Sequence, residues 1–439
     1  MSADVTRRST AALAVADELP NAAPGSANAS LSSRKLRQNG AMKPEDFKPD
    51  EQLLLRAVAL LTGSEMAEPS ERLPTSLPEV GIGAYAALSA MFDDVLGQSR
   101  DLGAPGFFAH MDPPTPSITW AMHLWTASRN QNLLHPDTAP RARELERLAV
   151  DWIAPFFGMS GGHMTPGSTV ANLTAIWAAR ESGCRVVASG TGAHLSIRKA
   201  AHLLGMEHRV IEDWSAADDL TNAVAVITAG TTSSGEIESL DAARLARWRH
   251  VDAAWSGPLR LSDRYRHLLD GIEDADSVAM SAHKWLFQPK ESAFVLFADH
   301  ESAHKSISID GAYLAVPNVG ILGSHGAIAV PLLAMLVAYG REGIAGMIDR
   351  TMLLIDELAR LVDAHADLES RSAPNSGVLC WRHKSVSVDD IKRHLPHDVW
   401  VSSTIINGEP WLRSVAANPN AEPAKVVAGV LHAAASFQP

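Results

Sequence analysis

The sequence predicts an α/β fold in which a mostly parallel sheet is covered by helices on both faces and is followed by a smaller α+β domain. The first observation is that helical and short apolar segments alternate between residues 141 and 298. The second is that some short segments, such as AVAVIT at 223–228, are apolar throughout, which is typical of parallel strands buried on both sides. The third is that the last hundred residues change to a long helical segment followed by short elements.

The first hundred residues predict a tail and a helical arm. Residues 1–45 are rich in Ala, Ser, Asn and Pro and lack the apolar core of a signal peptide, so we expect a disordered tail. A transit peptide is the alternative, and Asp4, Asp17 and Glu18 count against it. Apolar residues at helical spacing within 51–61 and 81–96 predict an amino-terminal arm of helices over 46–105.

A large domain over residues 106–326 contains the alternating segments. Its helices are predicted at 170–181, 195–204, 241–248 and 265–273, and its strands at 185–189, 208–212, 223–228, 250–255, 277–281 and 293–298. Gly183 and Gly205 follow the first two helices, where glycine commonly ends a helix.

Residues 327–439 predict a long helix and a small carboxyl-terminal domain. The helix covers 327–362, and we expect Pro331 to bend it and glycines at 340, 343 and 346 to interrupt it. A strand at 378–382, a helix at 388–394, a hairpin turning at Asn407-Gly408 and a final helix at 423–435 follow.

Composition narrows the class of protein. The 439 residues carry a formal charge of −12 and no Lys/Arg-rich run, so nucleic acid and anionic membrane are not expected as partners. The longest apolar stretch, 327–339, is too short to span a bilayer, and Cys184 and Cys380 form neither a disulfide framework nor a metal motif. We therefore expect a cytoplasmic protein without a metal site that acts on a small molecule.

A lysine between two predicted strands is the strongest chemical signal. Lys284 lies in SAHKWL (281–286), and Asp252 lies at the end of an apolar strand in HVDAAW (250–255). Open α/β sheets bind their ligands at the carboxyl ends of strands. By itself the lysine would be interpreted as a solvated surface charge, but its neighbours favour a functional role.

The segment before the first predicted helix of this domain supplies the third part of the pattern. Gly167, Ser168 and Thr169 precede that helix, whose first amides can bind a phosphate, although the two hydroxyls are also ordinary helix caps. A phosphate site, a buried carboxylate and a lysine together are what pyridoxal 5′-phosphate requires: the lysine forms a Schiff base, and the aspartate keeps the pyridine nitrogen protonated.

The sequence resembles the group II pyridoxal-phosphate-dependent amino-acid decarboxylases, which include aromatic-amino-acid, glutamate and diaminobutyrate decarboxylases. The matching segments, in the family's order, are FFAHMDPP (107–114), NQNLLHPDTAP (130–140), TPGSTVANLTAIWAAR (165–180), GAHLSIRKAAHLLG (192–205), ITAGTTSSGEI (227–237), HVDAAW (250–255), SAHKWL (281–286) and GREG (340–343). The resemblance implies a type I, aspartate-aminotransferase-like large domain with a small carboxyl-terminal domain. It also implies a homodimer with active sites at the interface.

The resemblance assigns roles to individual positions. Lys284 is implied as the Schiff-base lysine and Asp252 as the partner of the pyridine nitrogen. The other implied cofactor-binding residues are Gly167, Ser168, Thr169, His194, Thr228, Ala254, Ser281 and His283. His194 is implied to stack on the ring opposite Ala254, although a histidine at this position could also be a helix-end residue.

A loop tyrosine is implied as a proton donor after CO2 leaves. Tyr313 lies at the matching position, and a loop aromatic packed on the surface is an equal alternative. Lys284, His194 and Tyr313 are thus the expected catalytic residues.

Several positions leave the substrate open. Gly323-Ser324-His325 stands where many relatives have Gly-Ser-Arg, and an imidazole cannot bind a carboxylate as a guanidinium does. Arg413 is either a carboxylate anchor or a solvated strand-end residue. In segment 107–114, Asp112 would favour a cationic substrate, whereas the two phenylalanines would favour an aromatic one.

The expected reaction is decarboxylation of an L-amino acid to the amine and CO2. The main alternative is another pyridoxal-phosphate reaction on the same scaffold, a carbon–carbon lyase or a transaminase, because these reactions differ only in which bond is aligned for cleavage. A non-catalytic homologue is the second alternative, and the joint presence of Lys284, Asp252 and His194 opposes it.

Overall fold

The computed structural model describes residues 42–67, 73–217, 219–312, 314 and 316–437. Tyr313 and nearly all of the expected tail lie outside the described residues. The helices are α1 Glu51–Leu61, α2 Ala84–Phe92, α3 Ser117–Arg129, α4 Ala142–Ile153, α5 Ser168–Glu181, α6 Leu195–Leu203, α7 His300–Ser306, α8 Ala329–Asp363, α9 Val388–His394 and α10 Pro423–Ala435. The strands are β1 Gly161–Thr165, β2 Val186–Gly190, β3 Glu207–Ile211, β4 Ala223–Thr228, β5 Trp248–Asp252, β6 Ser277–Ser281, β7 Ala293–Phe297, β8 Ser308–Ile309, β9 Asn318–Val319, β10 Leu368–Ser370, β11 Val378–His383, β12 Ser402–Ile406 and β13 Glu409–Val415.

The chain divides after Arg100 into two compact units. The first contains α1 and α2, as the apolar spacing predicts, and the second helix runs on into a π-helical turn at Asp93–Gly97. Within this unit the Tyr85 hydroxyl donates to the Asp50 carboxylate at 3.1 Å, and Asp50 also caps α1 by accepting from the Leu53 amide. The boundaries expected at residues 46, 106 and 327 remain predictions.

The second unit is built on a seven-stranded sheet with strand order β1-β7-β6-β5-β4-β2-β3. Strands β3, β2, β4, β5 and β6 are parallel, and β7 is antiparallel to both of its neighbours. Every residue of β4 and β6 is buried. The prediction of a mostly parallel sheet is confirmed.

The register of this sheet brings three chemically important strand ends to one edge. Thr228, the last residue of β4, pairs with Asp252, the last residue of β5, and Asp252 pairs with Ala279 of β6. Ser281 ends β6 two residues later. Because parallel strands share one carboxyl edge, these side chains meet where the helices begin.

The small domain contains a four-stranded antiparallel sheet with order β10-β11-β13-β12. The expected hairpin is confirmed: Asn407 and Gly408 have φ values of 52° and 79° and connect β12 to β13. Two successive positive φ values match the right-handed twist of the strands, which explains why Asn-Gly occupies this turn. Helices α9 and α10 have the bounds that the sequence predicts.

Two predicted helices of the large domain are wrong. Residues 241–247 form turns, because Ala243 has a left-handed φ of 53° and interrupts the helix before β5 begins at Trp248. Residues 265–273 form two short 3-10 helices, Arg266–Leu269 and Ile272–Asp274, separated by Gly271 with φ of 93°. Propensity favours helix at both sites, but a residue with positive φ cannot continue one.

Helix α8 breaks at one of the three expected glycines and not at Pro331. Pro331 lies in its first turn, where a missing amide removes no hydrogen bond, so the proline does not bend it. The break is at Gly340, with φ of 61° and ψ of −179°. By length and composition α8 could cross a membrane, a property it shares with core helices. Ile344, Ile348 and Ile355 pack into the main hydrophobic core.

A pair of histidines joins β1 to α7. His163 Nδ1 lies 3.1 Å from His304 Nε2, so one neutral ring donates to the other. Burial, with smaller contributions from the neighbouring His304 and His325, lowers the pKa of His163 to about 3. Burial, with a smaller contribution from His300, lowers the pKa of His304 to about 4. Both rings are therefore neutral near pH 7.

We predict that the protein loses stability as the pH falls below about 6.5. An unfolded histidine binds its proton near pH 6.5, whereas His163 and His304 in the folded protein do not, so protons favour the unfolded chain between pH 6.5 and about 4. Urea denaturation should show a loss of about 2 kcal/mol per histidine between pH 7 and pH 5. His163→Gln should make this dependence shallower, and His202→Gln, at an exposed position, should not. Equal slopes for wild type and His163→Gln would contradict this account.

Candidate active site

Ten of the eleven expected site residues line one cavity of about 350 Å³. They are Gly167, Ser168, Thr169, His194, Thr228, Asp252, Ala254, Ser281, His283 and Lys284. The remaining residue, Tyr313, is outside the part of the chain that the structure describes. Residues separated by more than a hundred positions in sequence are thus brought together at the carboxyl edge of the large sheet.

The Asp252 carboxylate lies at the bottom of this cavity and is 3% exposed. Its Oδ2 accepts a hydrogen bond from Asn172 Nδ2 at 2.9 Å, and its Oδ1 accepts one from the Ala254 amide at 3.1 Å. A buried charge is tolerated only when such donors replace its water. The carboxylate is therefore held in one orientation, with its position set by strand β5 and helix α5.

The amino terminus of α5 forms one wall of the cavity. Gly167 is its N-cap and offers no side chain to the helix amides, so the first amides have no side-chain partner. Ser168 Oγ lies 2.6 Å from Ser281 Oγ across the cavity wall. Two hydroxyls, free amides and the positive end of the helix dipole make this wall suited to a phosphate.

Lys284 follows β6 in a tight turn whose neighbouring side chains, Ala282 and Trp285, are fully buried. Burial lowers the pKa of the Lys284 amine, while the charge of Asp252 acts in the opposite direction. A buried lysine with a lowered pKa has more of its amine in the neutral form, which is the form that attacks an aldehyde.

Two stacked indoles connect the segment that follows Asp252 with the segment that follows Lys284. Trp255 and Trp285 lie with ring centroids 4.3 Å apart and an angle of 12° between the planes. Trp255 Nε1 donates to the Ser376 carbonyl, and Trp285 Nε1 donates to Thr351 Oγ1. A Cβ on Gly377 would lie 2.6 Å from the Trp285 ring, so only glycine fits there.

Two histidines line the cavity. His194 is the N-cap of α6, and its Nδ1 contacts Ser196 Oγ at 2.9 Å and the Ser196 amide at 3.3 Å. Burial lowers the pKa of His194, opposed by Asp252. Burial lowers the pKa of His283 to about 4, with Lys290 and Lys284 adding to the effect. Both rings are neutral near pH 7.

One polar atom in the cavity wall is buried without a partner. Thr228 Oγ1 makes no hydrogen bond to any described residue, although the Thr228 amide donates to Glu238 Oε2 at 2.6 Å. A buried hydroxyl without a partner costs free energy that a ligand can recover. Pyridoxal 5′-phosphate fits this set of groups: the Thr228 hydroxyl without a partner, the wall formed by the start of α5, the Asp252 carboxylate and the Lys284 amine.

Sequence reasoning assigned no role to Asn172, Ser196 or His250. All three are buried. Asn172 is hydrogen-bonded to Asp252, Ser196 is hydrogen-bonded to His194, and His250 is hydrogen-bonded to Asn172. The available signal was spacing: Asn172 lies four residues after Ser168 and therefore on the same face of α5.

The side chains proposed for substrate selection have different surroundings from those expected. Phe108 is fully buried in the main core and Phe107 packs against Trp400 with ring centroids 6.1 Å apart, so neither ring is available to a substrate. Asp112 forms an ion pair with Lys290, so its carboxylate already has a partner.

Arg413 reaches the rim of the cavity from the small domain. Its Nη1 donates to the carbonyl of Thr232, a residue of the cavity wall, at 2.7 Å, and its Nε donates to Ser402 Oγ at 3.0 Å. Burial lowers the pKa of Arg413. The guanidinium is thus held in place, and the position is consistent with an anchor for a carboxylate.

His325 lines a second cavity of about 230 Å³ and not the one around Lys284. Its Nδ1 lies 2.8 Å from the Gly323 carbonyl. Glu146 lines the same cavity, where burial raises the pKa of its carboxyl and Oε2 has no hydrogen-bond partner among the described residues. The histidine at the position where many relatives have arginine therefore lies in a separate cavity of this chain.

Comparison with known proteins agrees with this geometry. Residues 94–384 match the family model of the pyridoxal-dependent decarboxylase conserved domain. The L-2,4-diaminobutyrate decarboxylase of Rhizobium meliloti is 30% identical over 354 residues, covering 70% of this chain and 71% of that protein. The aspartate 1-decarboxylase of Aliivibrio fischeri is 27% identical over 380 residues, covering 70% of this chain and 69% of the other.

Solved structures share the fold. The crystal structure of Oryza sativa TDC with PLP and tryptamine has a TM-score of 0.78 and 20% identity, covering 91% of this chain and 100% of that one. The crystal structure of mouse CSAD has a TM-score of 0.76 and 22% identity, covering 88% of this chain and 98% of the other. The type I architecture with a small carboxyl-terminal domain is confirmed.

We predict that the Lys284 amine in the protein without cofactor becomes reactive at a lower pH than an ordinary lysine. Reductive methylation with formaldehyde, followed by peptide mass spectrometry, gives the rate at Lys284 as a function of pH. Because burial lowers the pKa of this amine, the rate should level off below the ordinary lysine value of about 10.4. A rate that still rises through that pH in protein shown to be folded would contradict the assignment.

Proposed function

The chain belongs to the pyridoxal-dependent decarboxylase family, it is a pyridoxal-phosphate-dependent amino-acid decarboxylase, and we propose that the cavity around Lys284 is its active site. The observation that carries the proposal is the convergence of ten residues from five separate segments on one cavity at the carboxyl edge of the sheet. Lys284, Asp252 and the start of α5 all line the same cavity, as the binding of a single cofactor requires.

The residues of this cavity divide between the parts of the cofactor. The start of α5, with Ser168, Thr169 and Ser281, would hold the phosphate, and Asp252 would pair with the ring nitrogen. Ala254 and His194 would contact the two faces of the ring. Pyridoxal 5′-phosphate supplies an aldehyde for Lys284 and a ring that accepts the electrons of the broken bond.

The chain's own residues handle the substrate carboxylate and the proton. Arg413, held at the rim, would bind the carboxylate of an incoming amino acid, and the free Thr228 hydroxyl offers a second contact. His194 Nδ1 is occupied by Ser196, so Nε2 is the ring nitrogen left to hold a proton toward the cavity. Tyr313, from the segment that the family resemblance assigns to protonation, is the second proposed donor to Cα.

The substrate of this chain is an amino acid whose side chain the sequence and the cavity leave open. The relatives are named for diaminobutyrate, aspartate and aromatic amino acids, which differ in charge and size. Transaminase and carbon–carbon lyase activities begin with the same bound amino acid, so the products distinguish them.

We further propose that the protein acts as a homodimer in the cytoplasm, without membrane or nucleic-acid partners. The first unit supports the dimer: α1 exposes Leu54, Leu55 and Val58, with Leu55 60% and Val58 55% exposed. Three apolar side chains at adjacent positions on a short helix favour burial against another chain, and a second copy is the partner that is always present.

We predict that purified protein loaded with pyridoxal 5′-phosphate releases CO2 and the matching amine from at least one of a panel of aromatic, acidic and diamino acids. Lys284→Ala should lower kcat by a factor of about a thousand or more and remove the cofactor linkage that borohydride reduces, because no other lysine lines the cavity among the described residues. Lys290→Ala, at the neighbouring exposed lysine, should keep the linkage. Keto-acid formation without CO2 would contradict decarboxylation, and a linkage retained in Lys284→Ala would contradict the site.

We predict a dimer of about twice 46.9 kDa in sedimentation velocity. Leu55→Glu with Val58→Glu should shift the population to monomer, because two buried charges would oppose association. Glu51→Lys on the same helix is the control for a change of charge alone. A wild-type monomer at micromolar concentration would contradict the proposal.

A further inference from the structure

A chain of hydrogen bonds runs behind the cavity from strand β5 to His194. Trp248 Nε1 lies 2.8 Å from Ser277 Oγ, which lies 2.9 Å from His250 Nδ1. His250 Nε2 lies 2.9 Å from Asn172 Oδ1. Asn172 Nδ2 then contacts two atoms, Asp252 Oδ2 at 2.9 Å and Ser196 Oγ at 3.0 Å.

The direction of this chain follows from Asp252. A carboxylate oxygen accepts, so the Asn172 atom that faces Asp252 is the donor Nδ2, and Asn172 Oδ1 accepts from His250 Nε2. Burial lowers the pKa of His250 to about 4, so the ring is neutral near pH 7. With its single proton on Nε2, the ring accepts at Nδ1 from the Ser277 hydroxyl, which itself accepts from Trp248.

The orientation of the Asn172 amide is therefore set. Its oxygen accepts from His250, and its two N–H bonds are directed at the Asp252 carboxylate and at Ser196. Ser196 then donates its hydroxyl proton to His194 Nδ1, which also accepts from the Ser196 amide. The proton of neutral His194 is consequently on Nε2.

We propose that Asn172 is a positioning residue that fixes Asp252 on one side and, through Ser196, the tautomer of His194 on the other. The inference rests on the proposed function only in assigning the cavity to the cofactor. One amide thus couples the group at the ring nitrogen to the group on the ring face. His250 serves as the anchor that prevents the amide from turning over.

No other side chain of similar size does this. A carboxamide has an acceptor at one end and two donors at the other, which matches His250, Asp252 and Ser196. Aspartate would place a second carboxylate against Asp252. Leucine would leave the His250 N–H and one Asp252 oxygen buried without partners, which is the costly case for hydrogen bonds.

The test measures the dissociation constant of pyridoxal 5′-phosphate by quenching of tryptophan fluorescence. Asn172→Leu and the nearly isosteric Asn172→Asp should each raise it about tenfold to a hundredfold, the loss expected for a buried hydrogen bond to a charged group. Asn418→Leu is the matched control. Asn418 is equally buried and donates to the carbonyls of Ala104 and Phe107, so its loss should lower the melting temperature without weakening the cofactor.

The second readout is the tautomer of His194 in protein without cofactor. Nitrogen-15 NMR of labelled histidine separates protonated from unprotonated ring nitrogens, and His194→Gln identifies the signals. Wild type should show an unprotonated Nδ1, and Ser196→Ala and Asn172→Leu should give a mixture of tautomers. Ser196→Ala should weaken the cofactor less than Asn172→Leu, because it leaves the Asp252 contact intact.

The outcomes separate the inference from the proposed function. Unchanged dissociation constants in both folded Asn172 variants, or a wild-type His194 protonated on Nδ1, would overturn the positioning role even if CO2 is released. An Asn418→Leu variant that weakens the cofactor as much as Asn172→Leu would also overturn it. Absence of CO2 from every amino acid, with the expected dissociation constants and tautomer, would overturn the proposed function alone.

Discussion

The burial of one carboxylate constrains much of this structure. Asp252 lies at the end of the central strand β5, 3% exposed, and a charge in that position requires donors. The donors are the amide of Ala254, two residues beyond the end of the strand, and the side chain of Asn172 on helix α5. The packing of α5 on the sheet is therefore tied to the chemistry of the site, because a shift of the helix would leave the charge unpaired.

The same helix serves the other end of the cavity. Its first turn, at Ser168, faces Ser281 at the end of β6, and one turn later Asn172 reaches Asp252. The first turn of this helix and three neighbouring strand ends therefore match a ligand that has a phosphate at one end and a protonatable ring nitrogen at the other. The stacked Trp255 and Trp285 join the segments that follow the aspartate and the lysine, so the two cannot move independently.

The sequence was sufficient to predict the order of most elements and the residues that line the cavity. Strand β4 and helices α9 and α10 have the expected bounds because apolar period and caps determine them locally. The turns around Ala243 were missed because a positive φ at a residue other than glycine depends on tertiary contacts. Asn172 was missed because its role exists only once α5 lies against β5.

The residues that the sequence proposes for substrate selection also have tertiary contacts that a sequence does not show. Phe107 and Asp112 had chemically reasonable roles in the sequence, but the Phe107 ring packs against Trp400 and the Asp112 carboxylate forms an ion pair with Lys290. Arg413, which the sequence left open between anchor and surface charge, is held at the rim by Thr232 and Ser402.

We propose that one cofactor occupies the cavity in a single orientation set by α5 and Asp252. The most direct measurement is a crystal structure of the protein grown with pyridoxal 5′-phosphate. We expect continuous density from Lys284 Nζ to the cofactor, the phosphate at Ser168 and Ser281, and the ring nitrogen within hydrogen-bond distance of Asp252. A phosphate bound away from the start of α5, or a ring nitrogen with no contact to Asp252, would contradict it.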